Sequence, residues 1–235
     1  MQEQPRNLVI NEAGLGQYLT KVYGYMTLGV AISAIVSFLA LTIYRVQFAS
    51  LLSEHPFMLY GLIILELGFV MATSFKASRG GILSFMLFMA FAVVNGLTLA
   101  LTLSFYSVAN ITTAFVAATA TFGSMALYGS LTKRNLAGMG QMAFAALIGL
   151  LVATVVNLFL RNPMVDYIFS FIGVIIFIGL TAWDSQRIKM MYQQYAGQID
   201  TNGLAVMGAL QLYLDFVNLF LFFLRIFGIG TTSDD

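Results

Sequence analysis

The chain has 235 residues, 60% of them hydrophobic and only 9% charged, against roughly 25% charged in an ordinary soluble domain, which excludes a single water-soluble core. Eleven basic residues nearly balance ten acidic ones and form no dense basic run, so neither nucleic acid nor an acidic partner is indicated. Cysteine is absent, which excludes disulfides, thiolate metal sites, cysteine nucleophiles and sulfur-linked lipid.

Residues 1–21 carry Arg6, Lys21, Glu3 and Glu12 and no apolar stretch ending at a small-residue cleavage site. They read as a polar tail, not as a cleaved signal peptide. A bilayer core of about 30 Å takes roughly 20 apolar residues of helix, and seven runs of about that length follow, over residues 22–44, 58–75, 82–105, 111–131, 141–160, 167–184 and 204–227. Polar breaks separate them: Glu54-His55-Pro56, residues 76–81, residues 106–110, Lys133-Arg134-Asn135, Arg161-Asn162-Pro163 and the longer 187–203. Most breaks are short, so successive helices are expected to be antiparallel neighbours. With no evident internal repeat or low-complexity segment, the expectation is one all-α, seven-helix transmembrane domain over residues 22–227, followed by a short tail, 228–235.

Seven spans place Arg6, Lys21, Lys76, Arg79, Lys133, Arg134, Arg187 and Lys189 on one side of the membrane and Arg45, Arg161 and Arg225 on the other. That asymmetry predicts an N-terminus in the cytoplasm and an outer C-terminal tail. In the fifth run Ala145, Gly149 and Ala153 recur every fourth residue, a spacing that predicts close approach of a neighbouring helix.

Charges inside the runs are the exceptions that carry information, because an Asp or Arg at the bilayer centre costs about 2.5 to 3.5 kcal/mol on insertion scales. Glu66 lies within the second run, Asp184 near the inner end of the sixth, and Asp215 and Arg225 within the seventh. In the last run Gln211, Asp215, Asn218, Phe222 and Arg225 are spaced four, three, four and three, so they share one stripe of a helix. Such a stripe belongs inside the bundle, either as hydrogen-bonded glue between helices or as a functional polar core. Counted at about 1.5 Å per residue from the outer ends, Glu66 and Arg225 fall at about 12 and 3 Å, close enough for an ion pair that couples helices or gates.

Asp184 and Asp215 admit two readings. One makes Asp184 an interfacial cap and Asp215 a group neutralised by some other partner. The other brings them together: carboxylates within ~4 Å at an effective dielectric of ~20 repel by about 4 kcal/mol, so the pair shares a proton that it loses around neutral pH. Both ionised, they offer hard oxygen ligands to Ca²⁺. The same count by rise puts Asp184 about 27 Å and Asp215 about 18 Å deep, a mismatch that tilt or a sixth helix continuing to about Tyr192 would close. Enzymatic chemistry is not expected: the sole histidine, His55, sits beside Pro56 in an outer loop, which disfavours a Ser-His protease or a histidine-rich metal site. No lysine follows Lys189, so the last run holds no Schiff-base lysine.

Thr181-Ala182-Trp183-Asp184-Ser185-Gln186 and the stretch from Leu212-Tyr213-Leu214-Asp215 through Phe216-Val217-Asn218-Leu219-Phe220, followed by Leu224-Arg225-Ile226-Phe227-Gly228, resemble the Bax inhibitor (TMBIM) family, in particular its bacterial YccA-type branch. The resemblance covers essentially residues 15–230. Trp183 stands where the family more often has Tyr, and Ser185 where Thr is common; neither change touches the carboxylate. The resemblance implies six helices wrapped around a central C-terminal seventh, in a bacterial cytoplasmic membrane. It also implies a two-aspartate, pH-sensitive Ca²⁺ leak carried by Asp184 and Asp215, and a cytoplasmic basic latch for which Lys76 is the nearest candidate. The expected function is therefore a passive, pH-regulated Ca²⁺ leak channel with Asn218 beside the gate, no resident cofactor, and the bilayer and Ca²⁺ as partners. The alternative is a modulator of a membrane-bound protease, with residues 1–20 as its handle.

Overall fold

The computed structural model describes residues 12–55, 57–76, 81–195 and 200–229. Among them the chain forms eight helices and no strand: α1 (Glu12–Leu41), α2 (Arg45–Glu54), α3 (Met58–Lys76), α4 (Gly81–Leu103), α5 (Val108–Leu131), α6 (Ala137–Leu160), α7 (Pro163–Tyr195) and α8 (Thr201–Ile229). Helices are what such apolar runs must form, because lipid supplies no hydrogen bonds and each backbone group has to be satisfied within its own segment. The stops have local causes. Ser107 caps α5 by accepting from Asn110 N at 3.2 Å, and Thr132, extended at ψ 141°, ends it. Arg161 takes a left-handed φ of 53° after α6, and Pro163 then opens α7. Asn157 braces that corner by donating from Nδ2 to Asp166 Oδ1 at 2.6 Å and to the Asn162 carbonyl at 3.2 Å.

Six helices, α1 and α4 to α8, are long and apolar enough to cross a membrane, while α3 carries a shorter apolar stretch, Tyr60–Phe75. The molecule is thus a multi-pass membrane protein. Two elements depart from the seven even runs expected. Residues 45–54 form α2, a helix with no buried residue. The sixth run continues as helix eleven residues past Asp184, to Tyr195. Of the expected tails, residues 1–11 and 230–235 lie outside the described residues, as does Arg79, whereas residues 12–21 are not a free tail but the first turns of α1, with Tyr18 buried.

α8 packs against α1, α3, α4, α5 and α7, and 72% of its most apolar stretch is buried, against 11% for that of α6, which packs on α7. Aromatic rings fix α8 in place. Tyr213 is flanked edge-on by Phe88 at 5.6 Å and Phe91 at 5.5 Å, and Phe216 by Phe115 at 5.8 Å and Phe122 at 5.6 Å.

The expected close approach through Ala145, Gly149 and Ala153 is not where helices meet. Ala145 and Gly149 are exposed, and a Cβ on Gly149 would touch nothing. The small-residue spacing was real, but its face points away from α7. Close approaches occur instead at other glycines, among them Gly129 of α5, whose missing Cβ leaves room for the Ala182 carbonyl, Gly140 of α6, under the Trp183 ring, and Gly173 of α7, under Phe222.

Candidate functional site

α7 and α8 are joined at one end by residues 196–200. Counted from that end, Asp184 is eleven residues from Tyr195 and Asp215 fourteen from Thr201, or about 17 and 21 Å along their axes. Counted this way, with α7 extended, the mismatch in depth narrows to about 4 Å. The two side chains meet in carboxyl-to-carboxyl hydrogen-bond contact, and both residues are only 4% exposed.

Gln211, one helical turn before Asp215, donates from Nε2 to Asp184 Oδ1 at 2.8 Å. Asp215 Oδ2 is buried without a hydrogen-bond partner. A bond between two carboxyls needs one proton of its own, and among the described residues no other donor serves that oxygen. Ser185 Oγ, the neighbouring hydroxyl, is also buried without a partner.

The pair lines a cavity of about 430 Å³ along α7, walled by Phe144 and Leu147 of α6 and by Gln211, Leu214 and Asn218 of α8. Three polar members of the predicted stripe, Gln211, Asp215 and Asn218, therefore share one cavity. Asn218 donates its Nδ2 to the Leu214 carbonyl at 2.8 Å, which leaves its side-chain carbonyl as the atom to offer a cation. The other two members diverge. Phe222 covers Gly173, and Arg225 is exposed, its guanidinium 5.8 Å from the Phe222 ring.

Arg187 completes the cavity wall and was not singled out from the sequence. It is exposed, attracts Asp184 electrostatically and lies 5.3 Å from the Trp183 ring. Its position three residues after Asp184 on one helix was the signal that could have found it. The side chain of Lys76, the expected latch, lies outside the described residues.

Three residues around Asp184 have a visible task. The Ala182 carbonyl fits against Gly129 and Trp183 fits against Gly140. Gln186 clasps the turn before α6, accepting from Leu136 N at 2.9 Å and donating to the Arg134 carbonyl at 2.8 Å. Asp184 is thereby held by backbone-level packing on α5 and α6.

Glu66 and Arg225 are not brought together. The Glu66 carboxylate accepts from Asn95 Nδ2 at 3.2 Å and is in hydrogen-bond contact with Thr98. Asn95 Oδ1 in turn accepts from the Tyr213 hydroxyl at 2.8 Å, which lies 2.6 Å from Ser33 Oγ. Amide and hydroxyl donors of α4 thus meet the carboxylate, so it has no need of a cation from the far end of α8. Glu66 still couples helices, through a chain from α3 by α4 and α8 to α1.

Among the described residues no group of three or more His, Cys, Asp or Glu side chains is placed to hold a metal ion. Ca²⁺ takes 6 to 8 oxygens. Asp184 and Asp215, with the amide oxygens of Gln211 and Asn218, could supply part of that shell and water the rest.

The family model described as inhibitor of apoptosis-promoting Bax1 matches residues 15–232. Among relatives, inner membrane protein YbhL of Escherichia coli is 42% identical over 236 residues, covering 97% of this chain and 99% of its own. An uncharacterized membrane protein of Streptococcus pyogenes is 41% identical over 218 residues, covering 93% and 95%. An uncharacterized protein of Rickettsia prowazekii is 34% identical over 223 residues, covering 92% and 91%.

Proposed function

The chain belongs to the Bax inhibitor family, and from that premise we propose that it is a passive, pH-sensitive leak for Ca²⁺ in the cytoplasmic membrane, gated by Asp184 and Asp215. In this reading α3 completes seven spans, six of them surround α8, and the N-terminus is cytoplasmic. One observation carries the proposal: a buried carboxyl pair that a cavity reaches between α6 and α8, with the Arg187 cation in its wall.

With one proton between them the carboxyls bond and hold α7 to α8. With none, like charges repel unless a cation enters. Arg187 competes with that cation for Asp184, so it is the basic residue that tempers the site. Gln211 and Asn218 orient the pair and lend amide oxygens.

The test is Ca²⁺ flux into liposomes holding the purified protein, across about pH 5 to 9, for wild type and Asp215→Asn. Flux that titrates in the wild type and not in the variant supports the leak. No flux from the wild type at any pH overturns it and favours a modulator of a membrane-bound protease.

A further inference from the structure

A second cavity, of about 490 Å³, lies on the other side of α8. Phe216, Val217 and Phe220 form its floor, α1 and α5 its two sides, and Leu99 and Leu103 of α4 its back. Its volume falls within the range of ordinary ligand sites, roughly 300 to 1,000 Å³. No charged residue lines it.

The hydroxyls that do line it are already engaged. Ser33 reaches the Ala92 carbonyl at 2.6 Å, Ser37 the Gly96 carbonyl at 2.6 Å, Thr42 the Phe38 carbonyl at 2.6 Å and Thr112 the Val108 carbonyl at 2.8 Å. A water entering would find few partners, whereas a hydrocarbon chain loses nothing there. The cavity is continuous with the outer surface of the bundle, because Phe38, Val108 and Phe115 on its rim are exposed.

A charge for a headgroup is close in the chain. Arg45, three residues beyond Thr42, is exposed at the start of α2. Tyr44 makes no side-chain cap there, so the first N–H groups of that helix remain open. α2 itself buries no residue and exposes Val46 and Leu51, as a helix lying at the boundary between hydrocarbon and headgroups does.

We infer that the crevice between α1 and α5 is a binding site for one acyl chain of an anionic membrane phospholipid, whose phosphate Arg45 and the start of α2 receive. The site is independent of the aspartate pair and of any ion flux.

The probe is a phosphatidylglycerol carrying a diazirine midway along one acyl chain, in vesicles of phosphatidylethanolamine and phosphatidylglycerol holding the full chain, with adducts mapped by mass spectrometry. Residues 34–42 and 108–115 should be labelled about fivefold more than the exposed α6 face, residues 151–156, a bias that about 1 kcal/mol produces. Ala34→Trp, which fills the crevice, should abolish that excess and leave α6 labelling unchanged; Ala34→Leu serves if the larger ring prevents folding. Arg45→Gln should lower crevice labelling by the phosphatidylglycerol probe and not by a phosphatidylcholine probe with the same tails. Equal labelling of the crevice and the α6 face in the wild type means surrounding lipid only and overturns the site. Crevice labelling that survives both Ala34 variants overturns it too. If Arg45→Gln leaves the phosphatidylglycerol probe unaffected, the headgroup assignment is wrong.

Discussion

Gln211 Nε2 lies 2.8 Å from Asp184 Oδ1, one helical turn before Asp215. The amide occupies one oxygen of Asp184 and turns the carboxyl toward α8. Replacing it by an apolar side chain of similar length leaves a buried carboxyl oxygen without its donor, at a cost of about 1 to 3 kcal/mol. Gln211→Leu should lower the thermal unfolding midpoint in detergent. An unchanged midpoint would show that the amide contributes nothing there.

The pH response follows from proton counting. If the closed arrangement holds one proton that the open one lacks, raising pH favours the open form. Two unprotonated carboxylates ~4 Å apart at an effective dielectric of ~20 repel by about 4 kcal/mol. Ca²⁺ flux should therefore increase as pH rises from about 5 to 9. Asp184→Asn and Asp215→Asn remove the repulsion and a ligand together, so each should flatten the profile and weaken Ca²⁺ binding. Either variant keeping the wild-type midpoint and Ca²⁺ response would end the shared-proton mechanism.

Glu66 is bonded to α4 and not to Arg225. In a double-mutant cycle measured by unfolding, Glu66→Gln with Asn95→Ala should couple by about 0.5 to 3 kcal/mol. Glu66→Gln with Arg225→Gln should be additive within about 0.5 kcal/mol. Strong coupling in the second cycle would mean that the carboxylate leaves Asn95 for the arginine.

Two glycines should answer differently to one methyl group. At Gly129 a Cβ meets the Ala182 backbone carbonyl, which cannot swing aside, so Gly129→Ala should cost about 1 to 3 kcal/mol as overpacking. At Gly149 the space is open, and Gly149→Ala should be neutral or stabilising by up to about 1 kcal/mol through helix propensity. Thermal melts of the two variants decide it; equal loss at both positions would contradict the packing described.

The loop charges predict an N-terminus inside and a C-terminus outside. Alkaline phosphatase fused after Asp235 should be active and a fluorescent protein there dark. The reverse pattern would overturn this orientation.

Most helix positions were legible because lipid demands apolar runs, and residues 58–75 and 111–131 coincide closely with α3 and α5. The end of α7 was legible only as one of two alternatives, a helix continuing to about Tyr192 or a tilt, and not from hydropathy. After Trp183 the residues Asp184, Ser185, Gln186, Arg187 and Lys189 end the apolar run, yet they keep every backbone bond of a helix. Hydropathy reports where lipid stops, not where a helix stops, and the missing three turns had made the aspartates seem at different depths. α2 escaped because Arg45, Gln47 and Glu54 interrupt its apolar residues in a segment too short to span. The Ala145, Gly149 and Ala153 stripe misled because spacing says that a face is small, never which neighbour it meets. The Glu66 and Arg225 pairing failed for a related reason. Depth along an axis ignores the amide and hydroxyl donors of Asn95 and Thr98, which sit closer.

Trp183 is the single tryptophan of the chain, and its ring sits on Gly140, faces the Arg187 guanidinium and forms part of the cavity wall beside Asp184. Indole emission depends on local polarity and on contact with charged or quenching groups, so all tryptophan fluorescence of this molecule arises at one known point. The native protein therefore carries its own optical reporter. Hydration of the cavity, departure of Arg187 or separation of α6 from α7 would each register as a change in colour or intensity, with no label attached and no second chromophore of its kind to dilute the signal.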